Sequence, residues 1–211
     1  MEKLIFITFY EEDAWLKTLS MGLFCIVTGT GNIVLVGFMG TGKTAVAREI
    51  ARILGIPHID TDQLTVEQEG MSISQIFAEK GEKYFRELEH SILKDIKEKV
   101  DDIFVLSLGG GMPTYEPNLE LIKELGYVVW LKTSAEETYN RIGANSDRPL
   151  LQGGDPMEKI STLLAERTPS YEALSEFDIE TEGLNVFELA SGIIDSASYH
   201  FSGAEVAEAG I

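Results

Sequence analysis

The chain has little positive charge and almost no cysteine. Its 211 residues include 17 Lys or Arg against 35 Asp or Glu, a formal net charge of -18. A surface this acidic repels DNA, RNA and anionic lipid, which argues against a nucleic-acid or membrane-surface role. Cys25 is the sole cysteine, so an intrachain disulfide is excluded, as suits a reducing cytosol. We therefore expect a cytoplasmic location.

Histidines and long apolar runs are scarce too. His58, His90 and His200 are scattered, without the close pair plus cysteines or carboxylates of a zinc site, so we expect structural or solvated histidines. No apolar run approaches the length of a membrane span. The start of the chain, an apolar run at 4–10 followed by acidic residues 11–13, resembles neither a secretory signal nor a transit peptide. We expect no membrane segment.

One glycine-rich segment, residues 37–44, matches the spacing G-x-x-x-x-G-K-[ST]. A β-branched run at 33–36 precedes it and a helical apolar pattern at 45–54 follows, which is the context the motif requires. We predict a phosphate-binding loop (P-loop) in which backbone N–H groups surround phosphate oxygens, Lys43 supplies a cation and Thr44 ligates magnesium. A glycine-rich helix start is the weaker alternative. The predicted nucleotide contacts are Gly40, Thr41, Gly42, Lys43, Thr44 and Ala45.

Strand and helix patterns alternate along the chain, which predicts an α/β fold with a parallel sheet of about five strands between two helical layers. The predicted strands are 33–36, 57–60, 103–106, 127–131 and 178–180. The predicted helices are 45–54, 73–79, 82–99, 118–125, 135–142, 156–166, 170–175 and 186–196. Residues 145–155, rich in Asp, Gly, Pro and Asn, are a candidate lid loop.

Asp60 and Asp62 stand at the end of the second predicted strand, where open α/β sheets bind ligands. Alternate strand residues share a face, so two carboxylates could serve a magnesium shell and an acceptor hydroxyl. The alternative is an acidic helix start with Asp62 as its cap. Arginine, the residue suited to gripping carboxylates and phosphates, occurs six times, and four copies lie beside short motifs. These are Arg86, Arg141, Arg148 and Arg167.

Together, these motifs resemble the shikimate kinase family across about residues 32–182. The segments that carry the resemblance are 59–62, 70–73, 76–77, 81–82, 85–89, 108–111, 147–151 and 166–167, with Tyr171. Members of that family transfer phosphate from ATP to the 3-hydroxyl of shikimate, with magnesium, on the route to chorismate and the aromatic amino acids. The resemblance implies a P-loop kinase fold with a lid, and ATP and shikimate as ligands. We expect a monomer.

The resemblance also implies roles on the shikimate side. Asp62 would orient the acceptor hydroxyl, Arg86 would bind the shikimate carboxylate with support from Glu89, and Arg167 would be a second carboxylate arm. The alternatives are a surface ion pair for Arg86 and Glu89, and a cation near a helix end for Arg167. Phe77 and Phe85 would pack against the shikimate ring, and the alternative is that they are ordinary core residues. Backbone N–H groups of the triple glycine would contact substrate, unless the segment is a flexible turn. Its residues are Gly109, Gly110 and Gly111.

On the nucleotide side, the resemblance implies that Asp60 acts through a metal-bound water and that Ser107 faces the magnesium water shell. Arg148 would enter on lid closure to neutralise the transferring phosphoryl group, with a solvated turn residue as the alternative. Arg141 would flank the adenine by cation stacking. The family often places another basic residue near the adenine, whereas this chain has Leu184. Lys43, Asp62 and Arg148 are thus the predicted catalytic residues.

We predict three parts of the chain: residues 1–31 as an appendage of unknown role, 32–197 as a P-loop small-molecule kinase domain, and 198–211 as a flexible tail. Two alternatives stay open. One is a related small-molecule kinase, such as a gluconate or nucleoside monophosphate kinase. The other is an inactive relative that serves as a binding module, although such proteins usually lose a residue equivalent to Lys43, Asp62 or Arg148.

Overall fold

A five-stranded parallel sheet forms the centre of the molecule. The computed structural model describes residues 31–142 and 154–202. The strands are β1 (Ile33–Gly37), β2 (His58–Asp60), β3 (Val105–Ser107), β4 (Tyr127–Lys132) and β5 (Phe177–Glu180). They lie in the order β2-β3-β1-β4-β5, and all pairings are parallel. The predicted fold class is confirmed, with strand ends within two residues of those expected.

Helices follow the strands. They are α1 (Lys43–Leu54), α2 (Thr61–Glu69), α3 (Ile73–Lys99), α4 (Leu119–Leu125), α5 (Ala135–Ile142), α6 (Pro156–Leu174) and α7 (Val186–Phe201), with short 3-10 turns at Met112–Thr114 and Glu116–Asn118. Each predicted helical segment is present. The patterns at 73–79 and 82–99 merge into α3, but Gly81 keeps a non-helical φ of 80°, so the predicted break is real.

One helix was not predicted, and two helix predictions were wrong in extent. α2 was not predicted, because it lacks an apolar stripe and is recognisable only by its ends, the Asp60 cap and the left-handed Gly70. α6 runs through Pro169, where we expected an interruption. An internal proline removes one backbone donor, and the tertiary packing of α6 tolerates that loss. α7 continues past residue 196, the predicted end of this helix, to Phe201.

Alternate residues of the strands pack into two cores. Val34 and Val36 of β1 face a cluster with apolar residues of α3, α4 and α6. Ile33 and Leu35 face the opposite cluster, built with α1 and α7. All five residues of β1 are buried, as expected for a central strand covered on both faces. Within the described ranges, no helix is both long and apolar enough to cross a membrane.

The carboxyl ends of three neighbouring strands meet at one edge of the sheet. Asp60 of β2 is in register with Ser107 of β3, which is in register with Leu35 of β1. The P-loop after β1, the segment 60–62 at the end of β2 and the triple glycine after β3 therefore lie close together at this edge. The predicted appendage other than Gly31, most of the candidate lid including Arg148, and residues 203–211 lie outside the described residues.

Candidate active site

The P-loop wraps around the amino end of α1. Gly40 and Gly42 have φ of 81° and 90°, which side chains disfavour. Gly42 is the N-cap of α1 and offers no side-chain cap, so the first-turn N–H groups are suited to an anion. Lys43 is buried, and its Nζ donates to the carbonyl oxygens of Gly37 and Phe38, both at 2.8 Å. These contacts hold the cation inside the loop.

A cavity of about 280 Å³ opens in front of this loop. Its lining includes Lys43 and Thr44 of the loop together with Asp60 and Asp62. Gly110 and Arg141 also line it. The cavity thus joins most of the predicted phosphate contacts to the two predicted carboxylates.

Asp60 is the centre of a hydrogen-bond cluster at the cavity floor. Its Oδ2 accepts from Thr44 Oγ1 at 2.7 Å and from Ser107 Oγ at 2.8 Å. Its Oδ1 caps α2, accepting from the N–H groups of Asp62 at 3.0 Å and Gln63 at 3.1 Å. The helix cap is therefore Asp60, which corrects the alternative of Asp62 as the cap. Burial raises the pKa of Asp60, but the hydrogen bonds from Thr44, Ser107 and Gln63 outweigh it and lower the pKa below its usual value.

His58 extends this cluster, although the sequence patterns predicted no functional role for it. Its Nε2 lies 3.1 Å from Ser107 Oγ. Because the Ser107 hydroxyl gives its proton to Asp60, we infer that His58 is the donor in this contact. Burial lowers the His58 pKa, which favours the neutral ring. The alternation of His58 and Asp60 along β2 is the pattern that could have pointed to it.

The cluster suits magnesium better than zinc. Among the described residues, no group of three or more His, Cys, Asp or Glu side chains is placed to hold a metal. Magnesium needs few protein ligands when a nucleotide supplies phosphate oxygens, and it prefers hard oxygen donors. Thr44 and Asp60 provide such oxygens beside the P-loop.

Arg86 and Glu89 form a buried ion pair on α3. Arg86 Nη1 donates to Glu89 Oε2 at 2.6 Å, and Nη2 donates to Glu82 at 3.2 Å. Arg86 is 9% exposed and Glu89 2% exposed, so the alternative of a surface ion pair is wrong. Phe77 and Phe85 pack with ring centroids 4.6 Å apart, and the guanidinium lies 5.4 Å from the Phe85 ring. The two rings therefore form an apolar wall beside a charged group.

The triple glycine has a separate steric reason at each position. A Cβ on Gly109 would lie 2.6 Å from Asp62 Oδ1 and 3.2 Å from Glu89 Oε1. One on Gly111 would lie 2.5 Å from the Arg86 terminal nitrogens. One on Gly110 would lie 3.2 Å from the Gly37 carbonyl oxygen of the P-loop. The backbone here is packed against functional side chains, so the alternative of a merely flexible turn does not fit.

Glu89 is the most perturbed carboxyl of this region. Burial raises its pKa to about 7, against the opposing effect of Arg86, while the charge of Asp62 raises it further and Arg167 lowers it. The charges of Arg86, Arg167 and Asp62 therefore all act on the buried Glu89 carboxyl. We infer that Glu89 exchanges a proton near neutral pH.

Arg167 approaches the P-loop from α6. Its guanidinium lies 5.5 Å from the ring of Phe38, and it is 6% exposed. One turn later, the fully buried Tyr171 donates its hydroxyl to the Gly110 carbonyl oxygen at 2.6 Å. Tyr171 was among the residues that carry the family resemblance, but we predicted no role for it. The structure gives it direct contact with the triple glycine.

Arg141 of α5 also lines the cavity. It donates to Glu137 at 2.7 Å, to the Thr181 hydroxyl at 3.1 Å and to the Gly40 carbonyl oxygen at 3.4 Å. This side chain thus joins the P-loop to the segment after β5. Leu184, in that segment, is 42% exposed.

Comparison with known proteins identifies close relatives. The shikimate kinase family model matches residues 39–198. A shikimate kinase of Thermodesulfovibrio yellowstonii is 40% identical over 163 residues, which are 77% of this chain and 92% of that protein. One of Moorella thermoacetica is also 40% identical, over the same shares.

Solved structures agree in fold. Shikimate kinase from Acinetobacter baumannii in complex with shikimate superposes with a TM-score of 0.77 at 36% identity, covering 82% of this chain and 96% of that one. A gluconokinase from Sinorhizobium meliloti reaches a TM-score of 0.51 at 17% identity, over 82% of this chain and 97% of its own. The second likeness shows the shared fold alone.

Proposed function

Because this chain belongs to the shikimate kinase family, we propose that it transfers the γ-phosphoryl group of ATP to the 3-hydroxyl of shikimate. The observation that carries the proposal is the position of Asp62. Asp62 lines the P-loop cavity. Its Oδ1 lies beside Gly109, and Glu89 of the buried ion pair lies beside Gly109 as well. A carboxylate between a phosphate-binding loop and a pair of buried arginines suits a small acidic alcohol as phosphoryl acceptor.

Two parts of the site divide this task. We call residues 37–44 with Asp60, Ser107 and Arg141 the phosphate side. We call Phe77, Phe85, Asp62, Arg86, Glu89, Gly109, Gly110, Gly111 and Arg167 the acceptor side.

On the phosphate side, ATP would bind with its phosphates against the N–H groups at the start of α1. Lys43 would exchange the carbonyl oxygens of Gly37 and Phe38 for phosphate oxygens, which are stronger partners because they are charged. The guanidinium of Arg141, which donates to the Gly40 carbonyl oxygen of the loop, would stack on the adenine. Arg148 stays our prediction for a cation that enters with the lid.

Thr44 and Asp60 would hold the magnesium ion that accompanies ATP. When bound, the ion would neutralise charge on the phosphates. The Thr44 hydroxyl proton points to Asp60, so the oxygen lone pairs are free to face a cation. Ser107 and His58 would keep Asp60 in this orientation.

On the acceptor side, Arg86 and Arg167 would bind the shikimate carboxylate. Both are buried, so each is poorly hydrated and strongly favours an anion. Asp62 would accept a hydrogen bond from the 3-hydroxyl and take its proton as the oxygen attacks the γ-phosphorus. The new bond is oxygen to phosphorus, the bond to the β-γ bridging oxygen breaks, and ADP leaves.

A coupled assay of ADP release tests this function. Purified protein with Mg-ATP should release ADP when shikimate is added, and release far less with gluconate or a nucleoside monophosphate. Activity with gluconate or a nucleotide instead would point to another small-molecule kinase. Shikimate binding by calorimetry without ADP release would indicate the inactive binding module.

We further propose that residues 1–31 are dispensable for catalysis, since each assigned residue follows Asn32. Deleting residues 1–20 should leave kcat and both KM values within about two-fold, an expectation based on the exposure of most chain termini. A large loss of activity in a deletion variant with a native circular dichroism spectrum would contradict this.

A cytoplasmic monomer is the state we propose for the enzyme. Support comes from the net charge of -18, which disfavours self-association through repulsion, and from the single cysteine. Light scattering after gel filtration should give a mass near 23.3 kDa. A mass of twice that value would contradict the monomer.

A further inference from the structure

The hydroxyl of Tyr171 joins the carboxylate-binding arm to the triple glycine. It donates to the Gly110 carbonyl oxygen at 2.6 Å. Arg167 lies one helical turn earlier on α6, four residues before Tyr171, and its charge acts on the phenol. We propose that Tyr171 is a positioning residue that holds both Arg167 and the Gly110–Gly111 peptide in the geometry that binds the substrate carboxylate. This inference rests on the proposed function.

Peptide planarity gives the contact with Gly110 a direction. In a trans peptide the C=O of one residue and the N–H of the next point to opposite sides. Because the Gly110 carbonyl oxygen faces Tyr171, the N–H of Gly111 faces away from it. Gly111 is also the residue whose Cβ would meet the Arg86 guanidinium. The Tyr171 hydroxyl therefore sets the plane of the peptide that adjoins the first carboxylate-binding arginine.

The surroundings make the hydroxyl a fixed donor. The side chain is fully buried, and its ring packs against Trp130 with centroids 5.8 Å apart. Burial raises the pKa of Tyr171 to about 12, although the charges of Arg167 and Arg86 oppose the rise. The proton is thus retained throughout the neutral range. Neither ring rotation nor ionisation competes with the bond to Gly110.

The test replaces the hydroxyl and keeps the ring. For Tyr171→Phe we expect the shikimate KM to rise by about ten-fold. Loss of a hydrogen bond that is linked to charged groups typically weakens binding by about that factor or more. The ATP KM should stay within about two-fold, because the contacts at risk are to the shikimate carboxylate. A merely structural role would instead lower the melting temperature and leave the ratio of the two KM values unchanged.

Tyr127→Phe is the matched control. Tyr127 is also buried, and its hydroxyl contacts Ser196 Oγ at 2.8 Å, but it starts β4 at the opposite edge of the sheet from the site. This variant should lose a similar hydrogen bond without changing either KM. An equal rise in the shikimate KM for both variants would overturn the proposal.

An analogue of shikimate with a hydroxymethyl group in place of the carboxylate gives a second measurement. The wild-type enzyme and Tyr171→Phe should bind it with the same affinity within about two-fold, because the positioned arginines have no carboxylate to bind. A ten-fold difference that persists with this analogue, or a shikimate KM unchanged in Tyr171→Phe, would overturn the proposal. If Tyr171→Phe fails to fold, 4-fluorophenylalanine at position 171 keeps the bulk of the hydroxyl without its proton, and the same rise in the shikimate KM is expected; an unchanged shikimate KM would overturn the proposal. Wild-type enzyme without shikimate-dependent ADP release would refute the proposed function instead.

Discussion

The phosphate side and the acceptor side are built from different groups. The phosphate side is largely backbone: the N–H groups at the start of α1, and the carbonyl oxygens that hold Lys43. The acceptor side is largely charged side chains, with Arg86 and Arg167 buried beside Glu89. Backbone groups are held by the secondary structure itself, whereas buried charges depend on each other. Substitutions on the acceptor side should therefore affect shikimate strongly and ATP little.

The two sides also compensate their cations differently. Arg86 pairs with Glu89 at 2.6 Å and with Glu82 at 3.2 Å, and burial raises the pKa of Glu89 to about 7. Under the proposed function, the substrate carboxylate would add a further anion beside Arg86 and Arg167, which favours the protonated form of Glu89. The phosphate side, by contrast, compensates its lysine with neutral carbonyl dipoles that phosphate oxygens can replace. Under the proposed function, the first region would bind a carboxylate and the second a polyphosphate.

Loss of the Asp62 charge should have the largest effect. Asp62→Asn keeps the shape of the side chain but cannot take the hydroxyl proton, so kcat should fall by about 10²-fold or more, typical of a lost general base. The ATP KM should barely move. Steady-state kinetics with both substrates varied measure this. Asp101→Asn, at an exposed position before β3, is the control and should retain native kcat. A near-native kcat in Asp62→Asn would remove Asp62 from the acceptor side.

Arg86→Lys should raise the shikimate KM by about ten-fold, because lysine keeps the charge but loses the rigid two-pronged donor. Arg52→Lys is a matched control. Arg52 also donates to a glutamate three residues away, with two bonds of 2.7 and 2.9 Å to Glu49, but it is exposed on α1. Its replacement should change neither KM. A higher ATP KM with an unchanged shikimate KM in Arg86→Lys would invert our division of the site.

Alanine substitutions in the triple glycine should separate effects on kcat from effects on the shikimate KM. In Gly109→Ala the new Cβ meets Asp62, so kcat should fall by about five-fold, the scale of a small displacement of a catalytic group. In Gly111→Ala it meets Arg86, so the main change should be in the shikimate KM. Gly192→Ala, where the nearest atom is an ordinary 3.4 Å away on Ile179, is the control. Identical kinetic profiles for the first two variants would contradict these assignments.

The P-loop could be predicted from the residues alone, whereas the acceptor side was assigned by resemblance, and the reason is physical. A P-loop is a local motif, whose strand, turn and helix are contiguous, so its pattern could be recognised directly. The acceptor side joins α3, the triple glycine and α6, which are far apart in sequence and meet only through the packing of α3 and α6. Residues 85–89 and 109–111 were assigned by resemblance. Local patterns could not show that Tyr171 contacts Gly110, or that His58 contacts Ser107.

The pH dependence of KM should distinguish the two sides. Under the proposed function, shikimate would bring a carboxylate toward Glu89, which would raise the Glu89 pKa above the value of about 7 that burial gives it without substrate. Binding then takes up a proton, so affinity falls as pH rises through and beyond 7. We expect the shikimate KM to increase by about three-fold from pH 6.5 to 8. Uptake of one proton on binding could change the KM by at most about ten-fold per pH unit, so this increase is within the limit. The ATP KM should change less.

Glu89→Gln is the variant that tests the cause of this pH dependence. Glutamine cannot ionise, so the shikimate KM of the variant should be flat over the same pH range apart from changes shared with ATP. Glu67→Gln, on the exposed face of α2, is the control and should keep the wild-type profile. An undiminished pH dependence in Glu89→Gln would assign the titration to another group.

The smallest effect should come from the edge of the phosphate side. Arg141 is held by Thr181 and Glu137 and reaches the Gly40 carbonyl oxygen. Arg141→Lys cannot keep all these contacts, and its ammonium stacks less well on a flat base. Stacking at a partly exposed site contributes about 0.5–1 kcal/mol, so the ATP KM should rise by about three-fold while the shikimate KM stays constant. Kinetics with each substrate varied in turn measure this, and a rise confined to shikimate would place Arg141 with the acceptor side.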